Sequence, residues 1–223
     1  MSAKKEKVAA VISAMGALLS IVIELVKYIK ELGGDVGAGI YRLAQEEGKE
    51  TLKTIAGLIV QAGQSVRQAT EEASRYVVGR FNLVIDRTQP LADMIKLGKY
   101  DWVNSDIMAE HFPITGTGKQ EAAVELLHFN RDFDNGDDVL AEIDKLGYCP
   151  AKIEELLALG VAQPELQRQF PIAALGSIWR RADGVRIFVC LSRHDAKRGL
   201  RFYWVEFGFD DGWRFAVVRK PAR

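Results

Sequence analysis

The chain has 223 residues, a length that suits one domain or one and a half. Hydrophobic residues make up 48% and charged residues 27%, which is typical of a globular protein and too apolar for a disordered one. The two cysteines, Cys149 and Cys190, lack the spacing of a metal or redox motif, which argues against a disulfide scaffold. A reduced cytoplasmic pair is the simplest interpretation, and one disulfide bridge is the alternative.

The net charge is zero, but it is unevenly distributed. Residues 1–100 carry a net charge of +3, residues 101–179 carry −9 and residues 180–223 carry +6. Two interpretations are open at this point. The acidic and basic parts attract each other within one domain, or the basic part forms a surface for an acidic partner.

The first predicted element is a helix that starts with an uncharged run at residues 8–23 and ends at Gly33-Gly34. Sixteen helical residues span about 24 Å, which is less than the roughly 30 Å of a bilayer core. Burial or self-association of this helix, membrane contact, and a cleaved signal peptide are the three interpretations of the run. We expect a cytoplasmic protein, with membrane association as the alternative.

A second helix is predicted at about residues 40–78, where apolar residues recur at steps of three and four. Gly48, Gly57 and Gly63 interrupt a narrow, alanine-rich apolar stripe. Such a stripe favours a helical hairpin or an oligomer interface over a thick core, and residues 8–78 would form that interface. The polar stretch with Pro90 at residues 86–90 ends the pattern. We therefore expect an amphipathic helical segment at residues 1–90 and a second domain at residues 91–223.

The second domain mixes helical and alternating patterns. The predicted elements are a connector helix at 91–97, a strand at 123–129, helices at 137–146 and 151–159, and strands at 172–179, 185–192, 200–207 and 213–219. The glycines around Thr117 predict a hairpin turn rather than a phosphate loop, because Gln120 follows the Gly-Lys pair. The order predicts an α+β fold in which a helical hairpin precedes a domain with two helices and an antiparallel sheet.

The acidic stretch at residues 132–138 is a candidate calcium loop. Counted from Asp132, however, the loop positions that need glycine and glutamate hold Asp137 and Ile143. The simpler interpretation is a turn at Asn135-Gly136 followed by acidic residues at a helix N-terminus. We expect no metal site and no cofactor.

Four motifs of the second domain are distinctive. They are YDWVNSDI at residues 100–107, EHFP at 110–113, FPIAALGSIW at 170–179 and RFAVVRK at 214–220. Together they resemble a family of short uncharacterised bacterial proteins over roughly residues 91–220. That resemblance implies no function.

A second resemblance does imply one. The stretch GYCPAKIEELLAL is similar to a segment of the formylglycine-generating-enzyme branch of C-type-lectin-like folds, with matches at Gly147, Tyr148, Pro150 and Glu154. Because the catalytic cysteine pair of those enzymes has no counterpart, their activity is not implied. The fold also serves as a display scaffold with variable positions near its C-terminus. The resemblance therefore implies a ligand surface in residues 193–203, carried by these candidates: Arg193, His194, Lys197, Arg198, Arg201 and Tyr203.

Catalytic signals are weak. The histidines are isolated, and Cys190 and His194 would lie about 13 Å apart along a strand, too far for a nucleophile and its base. The basic residues near the C-terminal aromatics give an alternative function, binding of single-stranded nucleic acid. Those basic residues are Arg180, Arg181, Arg186, Arg193, Lys197, Arg198 and Arg201. The favoured hypothesis is a non-enzymatic binding or display module whose helical segment attaches it to an oligomer or a membrane.

Overall fold

In a computed structural model, residues 22–24, 26–37, 45 and 48–220 are described, without the side chains of residues 62, 65–67, 69 and 70. The contacts within the chain divide it into two units, Met1–Ser65 and Val66–Arg223. In the first unit, residues 26–31 are helical, and this helix ends before Gly33, whose φ is 74°. Helix α1, Lys49–Tyr76, starts in this unit.

The second unit contains the end of α1, four further helices and eight strands. The helices are α2 Leu91–Leu97, α3 Gly136–Lys145, α4 Ile153–Ala162 and α5 Leu166–Gln169. The strands are β1 Val77–Asp86, β2 Trp102–Val103, β3 Lys119–Leu127, β4 Tyr148–Pro150, β5 Ile172–Arg180, β6 Arg186–His194, β7 Lys197–Trp204 and β8 Arg214–Arg219. The α+β class is therefore confirmed, as are the helices at 91–97 and near 137–146 and 151–159.

The strands form one mixed sheet in the order β1-β3-β8-β5-β6-β7-β2, and β4 also pairs with β8. The prediction of an antiparallel sheet was wrong, because β8 runs parallel to β5 and β2 runs parallel to β7. The physical reason is the connection after β7. Residues 205–213 carry the chain back across the sheet, so that β8 enters between β3 and β5.

Strand β1 replaces the end of the predicted second helix. The prediction extended that helix to residue 78 and the helical segment to residue 90, but α1 ends at Tyr76 and β1 pairs with β3 along its length. The sequence VVGRFNLVID alternates, so that Leu83 and Ile85 are buried and Val84 is exposed. A period of two over β-branched residues favours a strand, and pairing with β3 decides it.

The sheet buries a different core on each face. One core is mainly aliphatic, and in it α2 and α4 cover the sheet through side chains such as Met94 and Leu156. The other is rich in aromatic side chains and includes Ala73 of α1 and Val139 of α3. Its aromatic members are Phe129, Phe133, Tyr148, Phe188, Phe209, Trp213 and Phe215. Several aromatics of the C-terminal part, Phe188, Phe209, Trp213 and Phe215, therefore fill a core.

The acidic stretch caps α3. The side chain of Asn135 accepts hydrogen bonds from the backbone N–H groups of Asp137 and Asp138, at 2.9 and 3.1 Å, which confirms the turn-and-cap interpretation. Among the described residues, no three or more His, Cys, Asp or Glu side chains are grouped so that they could hold a metal ion.

The predicted uncharged helix lies mostly outside the described residues, since only residues 22 and 23 of the run at 8–23 are described. The same holds for most of residues 38–47 at the start of the predicted second helix. Within the described part, no helix is both long enough and apolar enough to cross a membrane.

Candidate functional site

The six candidate ligand-binding residues lie on the hairpin of β6 and β7. His194 pairs with Lys197, so the turn consists of Asp195 and Ala196 alone, and Asp195 adopts a φ of 54°. Such a two-residue turn needs positive φ, which aspartate tolerates better than most residues. Arg193, His194 and Lys197 are exposed beside this turn. They are accessible but do not line a pocket with the other three candidates.

Arg198 is a structural residue. It is only 6% exposed, and its guanidinium donates hydrogen bonds to Gln167 Oε1 at 3.2 Å and to the carbonyl oxygens of Gly98 and Gly160 at 2.9 Å each. It also stacks on Tyr100, with 5.0 Å from Cζ to the ring centroid. We call this arrangement the Arg198 clamp. Its donors are engaged within the protein, so Arg198 is removed from the candidate ligand surface.

Arg201 and Tyr203 line a concave pocket of about 460 Å³ beside β6 and β7, here named the β7 pocket. The remaining lining residues are Trp102, Asn104, Pro171, Cys190, Ser192, Phe202, Trp204 and Trp213. The volume lies in the range of pockets that hold small molecules, and an apolar wall with a few polar groups is typical of them.

Arg201 is the one charged side chain among the described residues that line the β7 pocket. Its Cζ lies 4.9 Å from the ring centroid of Trp102, and Trp102 is 45% exposed. Arg201 takes part in none of the ion pairs formed by the described residues, and its buried Nε has no hydrogen-bond partner. The pocket therefore carries a positive charge that the protein itself does not neutralise.

Cys190 contributes a neutral thiol to this pocket. Burial raises its pKa to about 12, although the positive charge of Arg201 acts in the opposite direction. It pairs with Arg201 across the sheet, while His194 lies four residues further along β6. A thiol that stays protonated at neutral pH and has no base beside it is a poor nucleophile. The geometry thus gives no support to a Cys–His nucleophile.

The basic residues proposed for nucleic-acid binding do not form one groove. Arg180 and Arg181 lie at the β5–β6 turn, while Arg193 and Lys197 lie at the β6–β7 turn. These turns are at opposite ends of β6, which has nine residues and therefore spans about 30 Å. The two exposed basic groups therefore form separate patches and not one continuous basic surface.

Several basic residues of the C-terminal part instead form ion pairs with the acidic middle part. Arg186 donates two hydrogen bonds of 2.8 Å to Asp137, and Lys220 lies 2.6 Å from Asp144. Arg186 also holds the pKa of the Asp137 carboxyl below its ordinary value. These pairs support the interpretation that the charge asymmetry is partly internal.

Two buried glutamates form a second polar cluster at the start of α4. Arg87 forms ion pairs with both Glu154 and Glu155, and its Nε lies 3.4 Å from Glu154 Oε1. Thr115 donates a hydrogen bond of 3.1 Å to the same oxygen, and the backbone N–H of Lys152 donates one of 2.7 Å to Glu155 Oε2. Burial, followed by the charge of Glu154, raises the pKa of the Glu155 carboxyl. This cluster fixes three chain segments, and its residues do not line the β7 pocket.

The histidines other than His194 have structural roles. His111 stacks on Trp179 with 3.6 Å between ring centroids and contacts the backbone oxygen of Asp106 at 2.8 Å. His128 contacts the backbone oxygen of Asp211 at 2.9 Å. Neither ring lines the β7 pocket.

The sequence did not identify Trp102, Asn104 and Trp213 as site residues. Trp102 and Asn104 precede β7 by almost one hundred residues and reach it through parallel pairing of β2 with Gly199 and Leu200. A two-residue strand has no periodicity of its own. The only indication in the sequence of a site at Trp102 and Asn104 was the distinctive motif at residues 100–107, whose mixture of polar and aromatic residues is unusual for a loop.

Comparisons of the chain with family models, with curated proteins and with solved structures find no match.

Proposed function

We propose that this protein is a non-enzymatic binding module that takes a small planar anion into the β7 pocket. The observation that carries the proposal is Arg201, a cation without an acidic partner among the described residues, in a pocket with aromatic walls. An anionic group on the ligand would pair with the positive charge of the Arg201 guanidinium. A flat apolar body would stack on the indole rings.

The energetics favour an anion over a neutral ligand. A charge-assisted bond from a guanidinium to a carboxylate is about twice as strong as a neutral one and can be bidentate. Because the thiol of Cys190 is neutral at pH 7, no anion in the pocket competes for Arg201.

The test compares two probes of equal shape. Calorimetric titration of the full chain with 2-naphthoate and with the neutral 2-naphthamide should show binding of the carboxylate and at least about tenfold weaker binding of the amide, as expected for loss of a charge-assisted bond. Arg201→Met should weaken naphthoate binding by a similar factor and leave the amide unchanged.

Arg193→Met is the matched control, since Arg193 is an exposed arginine on the same hairpin but outside the pocket. It should bind both probes as the wild-type protein does. Equal affinity of the two probes, or no binding of either, would refute the proposal. A loss of binding in Arg193→Met as large as that in Arg201→Met would place the site on the hairpin turn instead.

Finer parts of the proposal concern fold and attachment. The lectin-like resemblance implies a display scaffold, and Arg201 and Tyr203 of the implied stretch at residues 193–203 line the pocket. We propose that a helical hairpin precedes this domain and attaches it to an oligomer or a membrane. A membrane role predicts that the full chain floats with liposomes while the second unit alone, Val66–Arg223, which keeps β1, does not.

Nucleic-acid binding is the alternative function. It predicts salt-dependent retention on single-stranded DNA through Arg193 and Lys197 or through Arg180 and Arg181. Absence of retention at low salt would exclude it. Two of the basic residues on which this alternative depends, Arg198 and Arg201, lie instead in the clamp and in the β7 pocket, which favours the small-molecule proposal.

A further inference from the structure

We propose that the outer edge of β1 pairs with the same strand of a second copy of this chain, in antiparallel orientation around Phe81. The proposal does not depend on the β7 pocket. It starts from the position of β1 at the end of the sheet, where β3 is its only neighbouring strand among the described residues. An edge of this length presents a row of unpaired backbone groups that can add another strand.

Most edge strands of natural proteins carry features that prevent such pairing. Strand β1 has ten residues, without proline and without lysine. Its one irregularity is a bulge at Val78, and the residues from Gly79 to Asp86 pair regularly with β3. The charge at its centre, Arg80, forms an ion pair of 3.0 Å with Glu125 on β3, so it is partly neutralised within its own sheet.

The order of apolar and polar residues in β1 is nearly symmetric about Phe81. In a two-fold register centred there, Arg80 lies opposite Asn82 of the second copy, and Val78 lies opposite Val84. Val78 and Val84 are 53% and 59% exposed in the single chain. The register therefore pairs apolar with apolar residues and a cation with an amide, and it places no like charges opposite each other.

The surface beside this edge is also apolar. A groove of about 440 Å³ runs between β1, where Leu83 and Val84 line it, and the helices α2 and α4. Leu97 and Val161 at its rim are 55% and 44% exposed. A strand added to β1 would lie along the groove and cover this apolar surface, which gives the second copy a reason to bind beyond backbone hydrogen bonds.

The first test is the mass of the full chain by light scattering during size exclusion. The wild-type protein should run at about twice 24.8 kDa. Val78→Lys with Val84→Lys places two pairs of like charges opposite each other and should reduce the mass to that of one chain. A monomeric wild-type protein, or a double variant that keeps the wild-type mass, would overturn the proposal.

Leu58→Lys with Val60→Lys is the matched control. It adds the same charge at two residues of α1 that are 61% and 59% exposed. This variant should keep the wild-type mass. Dissociation of this variant alone would assign self-association to the helix and would also contradict the proposal.

Cross-linking tests the register without relying on a disruptive variant. Arg80→Cys with Asn82→Cys should give a covalent dimer on mild oxidation, because these positions oppose each other in the two copies. Within one chain they lie about 7 Å apart along the strand, too far for a disulfide. Asn82→Cys alone should not cross-link, and the wild-type protein controls for Cys149 and Cys190. Efficient cross-linking of Asn82→Cys alone would mean a register shifted by two residues and would refute pairing around Phe81.

Discussion

Two arginines of β7, three residues apart, show how different two regions of one strand can be. In the Arg198 clamp, the guanidinium is buried and bonds to Gln167 and to two backbone carbonyl groups. In the β7 pocket, Arg201 stacks on Trp102, and its buried Nε lacks a hydrogen-bond partner among the described residues. The odd spacing places the two side chains on opposite faces of the sheet. One cation is satisfied by the fold, and the other keeps a buried Nε without a hydrogen-bond partner among the described residues.

The same substitution at both positions tests this contrast most directly. Arg198→Met should lower the free energy of unfolding by about 3 kcal/mol or more, since it leaves two buried carbonyl oxygens and Gln167 without their donor. Urea unfolding followed by circular dichroism measures the change.

Arg193→Met is the control for loss of a positive charge, and it should change stability by less than about 0.5 kcal/mol because Arg193 is exposed. If Arg198→Met were as mild as this control, the clamp would not stabilise the fold and the contrast with Arg201 would disappear.

The partner of Arg198 should have a smaller but clear effect. The side-chain amide of Gln167 donates hydrogen bonds of 2.8 and 3.0 Å to the backbone oxygens of Ser192 and Gly199, while its oxygen accepts from Arg198. Gln167→Leu keeps the volume and loses all three, so we expect a loss of about 2 kcal/mol in unfolding free energy.

Gln169→Leu in the same short helix is the matched control, because Gln169 is exposed. A double variant with Arg198→Met should lose less than the sum of the two single effects, since both act on one network. Strict additivity would show that the two residues stabilise the protein independently.

The sequence predicted the strand that carries both arginines but not their different roles. Alternation located β5 to β8 to within a few residues, because each strand buries apolar side chains on at least one face. Whether Arg198 or Arg201 is buried depends on Gly98, Gly160 and Gln167, which three separate segments bring to β7. Sequence alone contains no signal for such contacts.

The end of α1 was mispredicted for a related reason. A helical stripe and a strand both allow apolar residues near Tyr76, and only the pairing of β1 with β3 distinguishes them. The parallel pairing of β8 with β5 was missed because it depends on the path of residues 205–213, which have no regular pattern.

Glu154 and Glu155 are only partly satisfied by the fold, which places them between Arg198 and Arg201. Arg87 forms ion pairs with both glutamates, but Glu154 Oε2 is buried without a hydrogen-bond partner among the described residues. Burial raises the pKa of Glu155 above its ordinary value of 4.5. The folded protein therefore retains this proton at a pH where the unfolded chain has lost it. The resulting stabilisation is complete below about pH 4.5 and is lost as the pH rises through the raised pKa.

Glu155→Gln should remove this pH dependence. The unfolding free energy of the wild-type protein relative to the variant should fall as the pH is raised from about 4.5 towards neutrality, measured by urea unfolding at a series of pH values. Glu121→Gln, at an exposed position on β3, should show no such trend. A difference that grows with pH would mean that the bond with Arg87 outweighs the cost of burying the charge.

Among the buried and half-buried polar residues compared here, Arg201 should contribute least to stability, and a small effect of its substitution is the informative result. Arg201→Met gives up no hydrogen bond within the described residues, and methionine can replace the guanidinium on the face of Trp102. The unfolding free energy should change by less than about 1 kcal/mol, and removal of the unpaired Nε can even raise it. A loss as large as that of Arg198→Met would show that Arg201 supports the fold. A mild effect on stability together with lost naphthoate binding is the combination that a ligand site requires and a structural arginine does not produce.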